Sequence, residues 1–330
     1  MERRTFWRMA LVMTLIVAFC LPATLFAMEK PDGFPKRPIT MIVPYGAGGG
    51  SDQLARAMAT ALEKVVGVPI KVVNKPGGSG VAGLSDFFMA RPDGYTITEH
   101  IDDAATLYAS GVIKQDPSVE WYPACIAQIA FSQIYVRPND ERFPNWDALV
   151  KYAKANPGQI KLANVANVGS MERVVTSLLT QDQGIKMTQV SFDKPAERYG
   201  SLVGGHVDAL FEQPGDVRPY MESGDMKPIV TILNERPEAF SDVPCLKDIG
   251  AKFNPLFRFR GFFIRKDVPM DRQKYLEWAL KEAWNSEGFQ KFNQRKYMHL
   301  INSYRGIEGG KKLVAETIET YRKMGVTKKK

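Results

Sequence analysis

Short apolar runs alternate along the chain with longer stretches in which apolar residues recur every three or four positions. The run Ile39–Val43 predicts a β-strand, and segment 52–66, whose apolar residues share one face, predicts an amphipathic helix. A strand at 70–73, a helix near 80–90 and a strand at 95–98 follow. This β-α-β-α-β order is typical of a parallel sheet with helices on both faces.

The same alternation begins again after an irregular stretch at 100–123. We expect a strand near 126–137 and a helix at 146–155 that Asn145 caps. Further strands are expected at 159–165, 187–192, 207–211, 227–233 and 259–264, and further helices after Ser170 and at 196–203, 270–286, 287–298 and 308–324. The pattern predicts an α/β protein with two lobes, each built on a doubly wound sheet, that are joined by a hinge.

The chain is long enough for more than one hydrophobic core. Its 330 residues exceed what a single core usually supports, so two domains are expected. The closing helices need a surface to pack on, and we expect them to return to the first domain. Domain 1 is therefore predicted to comprise residues 29–128 and 252–330, and domain 2 to be the insertion 129–251.

The N-terminus has the composition of an export signal. A basic head with three arginines precedes an apolar segment at 9–21 and a cleavage site at 25–27. The apolar segment is shorter than a membrane span, which favours a cleaved signal peptide over an uncleaved anchor. Residues 1–27 therefore predict export to the periplasm.

The charge and the cysteine content limit the expected partners and the expected disulfides of the protein. The formal net charge is +8, and removal of the signal takes away three Arg and one Glu, which leaves +6. No basic stripe interleaved with aromatic residues is present, so we expect no nucleic-acid partner. Cys125 and Cys245 can pair in an oxidising compartment or remain two buried thiols, and we favour the thiols.

A glycine-rich loop follows the first predicted strand. Residues 44–52 contain four glycines and lead into a helix that begins at Ser51 or Asp52. Glycine lets a ligand approach the main chain closely, and a helix N-terminus carries unpaired N–H groups and a partial positive charge. The loop therefore predicts an anion site, although capping by Ser or Asp explains a helix start equally well.

A second strand-to-helix loop, residues 166–173, lies in the other predicted lobe. Ligands of open α/β sheets bind beyond the carboxyl ends of the strands. The two loops are therefore expected to face each other across the cleft and to hold the two ends of a small anion.

Six segments marked by glycine and proline follow one another along the chain. They read PITMIVPYGAGGGSD, VNKPGGSG, PDGYTI, YAKANPG, LVGGHVDALF and SDVP, at 38–52, 73–80, 92–97, 152–158, 202–211 and 241–244. Together they resemble the Bug-type (TctC-like) solute-binding proteins of tripartite tricarboxylate transporters.

The resemblance implies a two-lobed type II periplasmic binding fold with no catalytic activity, metal or cofactor. Members of that family hold carboxylates mainly through main-chain amides and waters in the two strand-to-helix loops. The implied function is to capture a small organic acid and to deliver it to membrane permease subunits. The acid is a mono-, di- or tricarboxylate, and aromatic acids are included. A monomer is expected.

The resemblance also carries over binding positions. The matching residues are Tyr45, Gly46, Ala47, Gly48, Gly49 and Asp52 in the first loop, and Gly169 and Ser170 in the second. Arg173 stands where many members have a histidine, and it can grip a carboxylate bidentately or pair with Glu172 or solvent. Glu212 stands where Asp is commoner, and we include it in the expected site.

Two enzyme classes are the alternatives. Segment 78–83 fits G-x-G-x-x-G after a strand, with Glu99 about twenty residues on, as a dinucleotide site requires. Three intervening residues and the export signal weaken that interpretation. A secreted hydrolase has less support, because no G-x-S-x-G, H-E-x-x-H or Cys/His cluster is present.

Two further segments leave alternatives open. The alternating aromatics of 257–263 favour core packing on a returning strand, whereas the other interpretation places Phe257 or Arg258 at the cleft. The pair Asp102 and Asp103 is interpreted as a solvated turn, with a cation site as the alternative.

Overall fold

The computed structural model describes residues 28–165 and 169–326. The predicted signal peptide, residues 1–27, lies outside the described residues, as do 166–168 of the second loop. Residues 28–30 form no helix or strand, and the chain from Pro31 onward is one compact unit. None of the helices in the described ranges has the length and apolar character that crossing a bilayer requires.

Ten strands are present in the described residues. They are β1 (Ile39–Val43), β2 (Ile70–Asn74), β3 (Thr96–Ile101), β4 (Trp121–Ala130), β5 (Gln133–Val136), β6 (Lys161–Val165), β7 (Thr188–Phe192), β8 (Ala209–Glu212), β9 (Lys227–Thr231) and β10 (Arg258–Arg265). They form two five-stranded sheets, with the orders β2-β1-β3-β10-β4 and β7-β6-β8-β5-β9.

Ten α-helices connect and cover these strands in the same part of the chain. They are α1 (Gly50–Val66), α2 (Val81–Met89), α3 (Asp103–Ala109), α4 (Trp146–Ala155), α5 (Met171–Asp182), α6 (Pro195–Val203), α7 (Pro214–Glu222), α8 (Met270–Asn285), α9 (Glu287–Arg295) and α10 (Ile307–Lys323). Helix α4 matches its prediction, and the side chain of Asn145 accepts a hydrogen bond from the N–H of Ala148 at 2.9 Å.

Both sheets are mixed, whereas the sequence pattern predicted parallel ones. In the first sheet β1 is parallel to β2 and β3, but β10 is antiparallel to β3 and β4. In the second, β6 is parallel to β7 and β8, but β5 is antiparallel to β8 and β9. Each sheet therefore contains one antiparallel strand, β10 in the first and β5 in the second. Each of these strands follows a point where the chain crosses from one lobe to the other.

Three local predictions were wrong. The strand expected near 126–137 is two strands, β4 and β5, which lie in different sheets and are separated by residues 131–132. The stretch 100–123, expected to be irregular, contains α3, and α7 was not predicted. Helix α7 begins with Pro214 and contains Pro219, which breaks the usual apolar periodicity.

Amphipathic helices bury their apolar sides against both faces of each sheet. On one face of the first sheet, Leu54 and Leu62 of α1 and Leu280 of α8 are fully buried. Each such side chain stabilises the fold by roughly 1.5–3 kcal/mol. Helix α10 packs against α3 and β4, so the closing helices cover the first sheet. Cys125 and Cys245 are free, buried thiols.

Candidate functional site

The loop between β1 and α1 is held by its own polar groups. The carboxylate of Asp52 accepts a hydrogen bond from the N–H of Gly48 at 2.9 Å and forms an ion pair with Arg56 at 3.0 Å. Gln53 donates to the carbonyl of Gly48 at 2.8 Å. Gly48 has a φ of +81°, a backbone conformation that is strained for a residue with a side chain. Asp52 therefore fixes the shape of the loop.

A cavity of about 70 Å³ lies between the two sheets, next to this loop. Residues of both lobes contribute to its wall. The lining residues are Tyr45, Gly46, Gly49, Gly50, Ser51, Ile101, Val165, Glu172, Asp193, Pro195, Arg198, Glu212, Gln213, Asp216, Arg258 and Arg260. The cavity is the interlobe cleft in which the sequence placed the ligand.

Four helices begin at the wall of this cavity. The first residues of α1 and α6, Gly50 and Pro195, line it, and so do Glu172 and Asp216 in the first turns of α5 and α7. Helix N-termini carry partial positive charge, which favours anions. In this closed cleft, the carboxylates of Glu172 and Asp216 lie in the first turns of α5 and α7, so the protein itself supplies an anion at these two helix N-termini.

Arg258 of β10 is the centre of one buried charge cluster. Its guanidinium pairs with Glu172 of α5 and with Asp102 at 2.7 Å and Asp103 at 3.4 Å. The hydroxyl of Tyr321 donates to Asp102 at 3.2 Å. Burial raises the pKa of Asp102, and Arg258 lowers it only in part. The cluster joins the first sheet to the helix that follows β6.

Arg260 lies two residues further along β10 and forms a second link between the lobes. It pairs with Asp216 of α7 and donates to Gln213 at 2.9 Å. A Cβ on Gly50 would overlap both the guanidinium of Arg260 and the carboxylate of Asp216. Lys296 adds a hydrogen bond to the carbonyl of Gly215 at 2.6 Å. Only glycine at position 50 allows this approach.

The third arginine of the cleft, Arg198 of α6, belongs to the second lobe. It pairs with Glu212 at the end of β8, and the hydroxyl of Tyr199 donates to the same carboxylate at 2.9 Å. Although burial opposes the charged form, Glu212, Tyr199 and Glu172 raise the pKa of Arg198. The guanidinium is therefore charged when the cleft is closed.

Two buried titratable residues lie side by side on β3. Burial raises the pKa of Glu99 to about 8, although the charge of Arg260 and a hydrogen bond with Ser51 oppose the rise. Burial lowers the pKa of His100 to about 4. The Nδ1 atom of His100 accepts from the N–H of Ile101 at 2.9 Å and lies 3.3 Å from the hydroxyl of Tyr45. At neutral pH we therefore expect Glu99 to be mostly protonated and His100 to be neutral.

The predicted site residues divide into two groups. Four of them line the cavity: Tyr45, Gly46, Gly49 and Glu212. The other six lie outside its lining in the described part of the chain: Ala47, Gly48, Asp52, Gly169, Ser170 and Arg173. Arg173 is half-buried and donates to the hydroxyl of Ser191. Their roles in binding stay predictions.

Both interpretations of segment 257–263 hold in part. Core packing was favoured, and Phe259, Phe262 and Phe263 are buried in the core. Arg258 lies at the cleft, as the other interpretation had it, and so does Arg260. Successive side chains of a strand point to opposite faces, so the alternation Phe-Arg-Phe-Arg was the signal for a shared charged face. Phe257 is 39% exposed and lines a separate groove beside α10.

The interpretation of Asp102 and Asp103 was wrong. The sequence suggested a solvated turn, but the two residues are 0% and 2% exposed and bind Arg258. The cation alternative gains no support, since no group of three or more potential ligands among the described residues could hold a metal ion. Five further buried polar residues of the cleft were not predicted from the sequence: Glu172, Arg198, Gln213, Asp216 and Arg260.

The dinucleotide interpretation has a structural counter-argument. Gly83 packs against Pro44, where a Cβ would lie 2.7 Å from the proline ring, so close packing explains this glycine. Glu99, which a ribose would need to reach, is fully buried. The segment around 78–83 supports the first loop.

Comparisons with known proteins by sequence and by structure point to the same family. The sequence pattern of the family described as "Tripartite tricarboxylate transporter family receptor" (TctC) matches residues 54–324. A protein of Cupriavidus necator, described as the UPF0065 protein in the gbd 5′ region, is 28% identical over 332 residues, which cover 99% of each chain.

Solved structures agree with the sequence match. A TctC solute-binding protein from Polaromonas, solved without ligand, is 27% identical with a TM-score of 0.64, covering 89% of this chain and 98% of that one. MatC from Rhodopseudomonas palustris, solved with bound malate, has a TM-score of 0.78 at 21% identity, covering 88% and 99%. These similarities confirm the two-lobed α/β periplasmic binding fold, and the chain belongs to the tripartite tricarboxylate transporter receptor (TctC) family.

Proposed function

We propose that this protein is an exported, periplasmic solute-binding protein that captures a small organic carboxylate in the interlobe cleft. It then delivers the ligand to the membrane permease of a tripartite tricarboxylate-type transporter. It has no catalytic role of its own in this proposal. The family supports binding as the function, and the bound malate of MatC supports a carboxylate.

One observation carries the proposal. The N-terminal ends of four helices and three buried arginines meet at a single cavity between the lobes. Oriented N–H dipoles at the helix N-termini favour an anion, and a charge-assisted hydrogen bond contributes roughly 1.5–3 kcal/mol. A cleft between hinged lobes also provides the opening and closing that capture and release require.

A thermal-shift screen of mono-, di- and tricarboxylates on the chain without residues 1–27 tests the proposal. A ligand present at about a hundred times its dissociation constant adds ~2.7 kcal/mol to the stability of the folded state and raises the Tm. Isothermal titration of each responding compound gives the affinity. No response across the panel would overturn the proposal, and turnover of any of its members would favour an enzyme instead.

A further inference from the structure

The buried charges that line the cleft balance one another without a ligand. Each of three arginines pairs with one carboxylate from the wall: Arg258 with Glu172, Arg260 with Asp216 and Arg198 with Glu212. All six side chains are 8% exposed or less. A ligand with only carboxylate groups would displace one of these protein carboxylates and leave it buried without a cation, which is strongly unfavourable.

Behind the Arg258 end of this wall the additional charges are acidic, whereas behind the Arg260 end the ammonium group of Lys296 lies 3.9 Å from Asp216. Arg258 is shared by three carboxylates, because Asp102 and Asp103 also pair with it. The arginine therefore has less positive charge to offer a second anion than an arginine with a single partner. A cation brought by the ligand would be stabilised at this end of the cleft.

The same wall also contains polar atoms of both signs that lack hydrogen-bond partners among the described residues. They are Oε2 of Glu172, Nε of Arg198 and Nε of Arg260. Burial disfavours ionisation of Glu172, but the charges of Arg258 and Arg198 outweigh it and lower the pKa of this carboxyl. An ionised oxygen acceptor and two guanidinium donors, without partners in the described part of the chain, thus belong to residues that line one small cavity.

We propose, building on the carboxylate-binding function above, that the ligand is a small zwitterion, a carboxylate that also carries a protonated amine or another fixed cation. Glu172 holds the cationic group, and the donors of Arg198 and Arg260 hold the carboxylate. The ligand's own cation offsets the protein carboxylate that its anion displaces, so the cleft stays balanced when it is loaded.

Matched pairs of compounds that differ by one amine test this inference on the unmodified protein. The pairs are propionate and β-alanine, butyrate and γ-aminobutyrate, succinate and aspartate, and glutarate and glutamate. Isothermal titration at pH 7, where these amines are protonated, measures both members of each pair. We expect at least one amine-bearing member to bind tenfold or more tightly than its partner.

The outcomes separate the two proposals. If carboxylates bind and no amine-bearing member gains affinity over its partner, the zwitterion inference is overturned while the carboxylate-binding function stands. If neither these pairs nor the wider carboxylate panel gives any binding, both proposals are overturned. A tenfold preference for an amine-bearing member supports both.

A variant pair locates the cationic group. Glu172→Gln keeps the shape of the side chain and removes its charge, so the preference within the responding pair should fall at least tenfold. Glu197→Gln, at a side chain that is 56% exposed in the same lobe, is the control and should leave the preference unchanged. An unchanged preference in folded Glu172→Gln would overturn the assignment of Glu172. The matched pairs on the unmodified protein remain decisive if that variant fails to fold.

Discussion

Arg258 and Glu172 form an ion pair across the cleft, with both side chains only 2% exposed. Arg258 comes from β10 of the first sheet, and Glu172 comes from the first turn of α5, the helix after β6. The pair therefore joins the two lobes directly at the cavity wall. Buried ion pairs are costly to break, because the remaining partner is left without compensation.

Arg258→Met should destabilise the protein by about 3–5 kcal/mol, since it leaves Glu172 and two aspartates buried without their cation. Urea unfolding measures the change. Arg236→Met is the control: its pair with Asp248 is 42% and 34% exposed and therefore screened by water, so its loss should destabilise the protein far less than the loss of Arg258. Equal stability of the two variants would contradict a buried pair at Arg258.

Gly50→Ala should destabilise the closed protein by about 1–3 kcal/mol, because the added methyl group overlaps Arg260 and Asp216. Gly288→Ala is a matched control in the first turn of α9, where a Cβ meets nothing within 4 Å. That control should be neutral or slightly stabilising, because alanine favours helix. Thermal unfolding of both variants measures the difference. If Gly50→Ala were as stable as its control, Arg260 and Asp216 would not be packed on Gly50 in solution.

Arg260→Ala and Arg173→Ala should differ in their effect on binding. Arg260 lines the cavity, so its loss should weaken the best carboxylate of the panel by about tenfold or more. Arg173 contacts Ser191 outside that lining, and its loss should change the affinity less than about threefold. Isothermal titration gives both values, with the Tm of each variant as the check on folding. A large loss with Arg173→Ala would support the direct role in binding that the sequence suggested.

Stability should fall as the pH rises from 6.5 to 8. Burial raises the pKa of Glu99 from 4.5 to about 8, so the stability from its neutral form is present below pH 4.5 and lost as the pH rises through 8. His100, with its pKa lowered from 6.5 to about 4, acts in the opposite direction only below pH 6.5. Asp102, whose pKa burial also raises, acts in the same direction as Glu99. The expected loss due to Glu99 is on the order of 1–2 kcal/mol.

Urea unfolding at pH 6.5 and pH 8 of Glu99→Gln tests this assignment. The variant cannot ionise at this position, so most of the loss should disappear. Glu319→Gln, at a side chain that is 57% exposed, should keep the full loss. A steep pH dependence that survives in Glu99→Gln would assign it to another group.

The α/β pattern of the fold was predictable because it is local. Apolar periodicity located most strands and helices within a few residues, and Asn145 was recognised as a cap from its position alone. The glycine-rich loop after β1 was also predictable, because close approach of the backbone needs glycine whatever the partner is. Strand direction was not, since the antiparallel strands β5 and β10 pair with segments far away in the chain.

Segments 38–52 and 202–211 were enough to identify the family from the sequence alone, and the first of them also led to the prediction of an anion site. Only the tertiary structure decided which charges meet in that cleft. Arg258 and Glu172 are 86 positions apart, and Arg260 and Asp216 are 44 apart. Such charges are buried only where the two lobes close on each other. Burial then changes both their solvation and their partners. The sequence thus predicted an anion site between two lobes, and the packing of the lobes determined that the wall of the cleft carries as many buried acids as arginines.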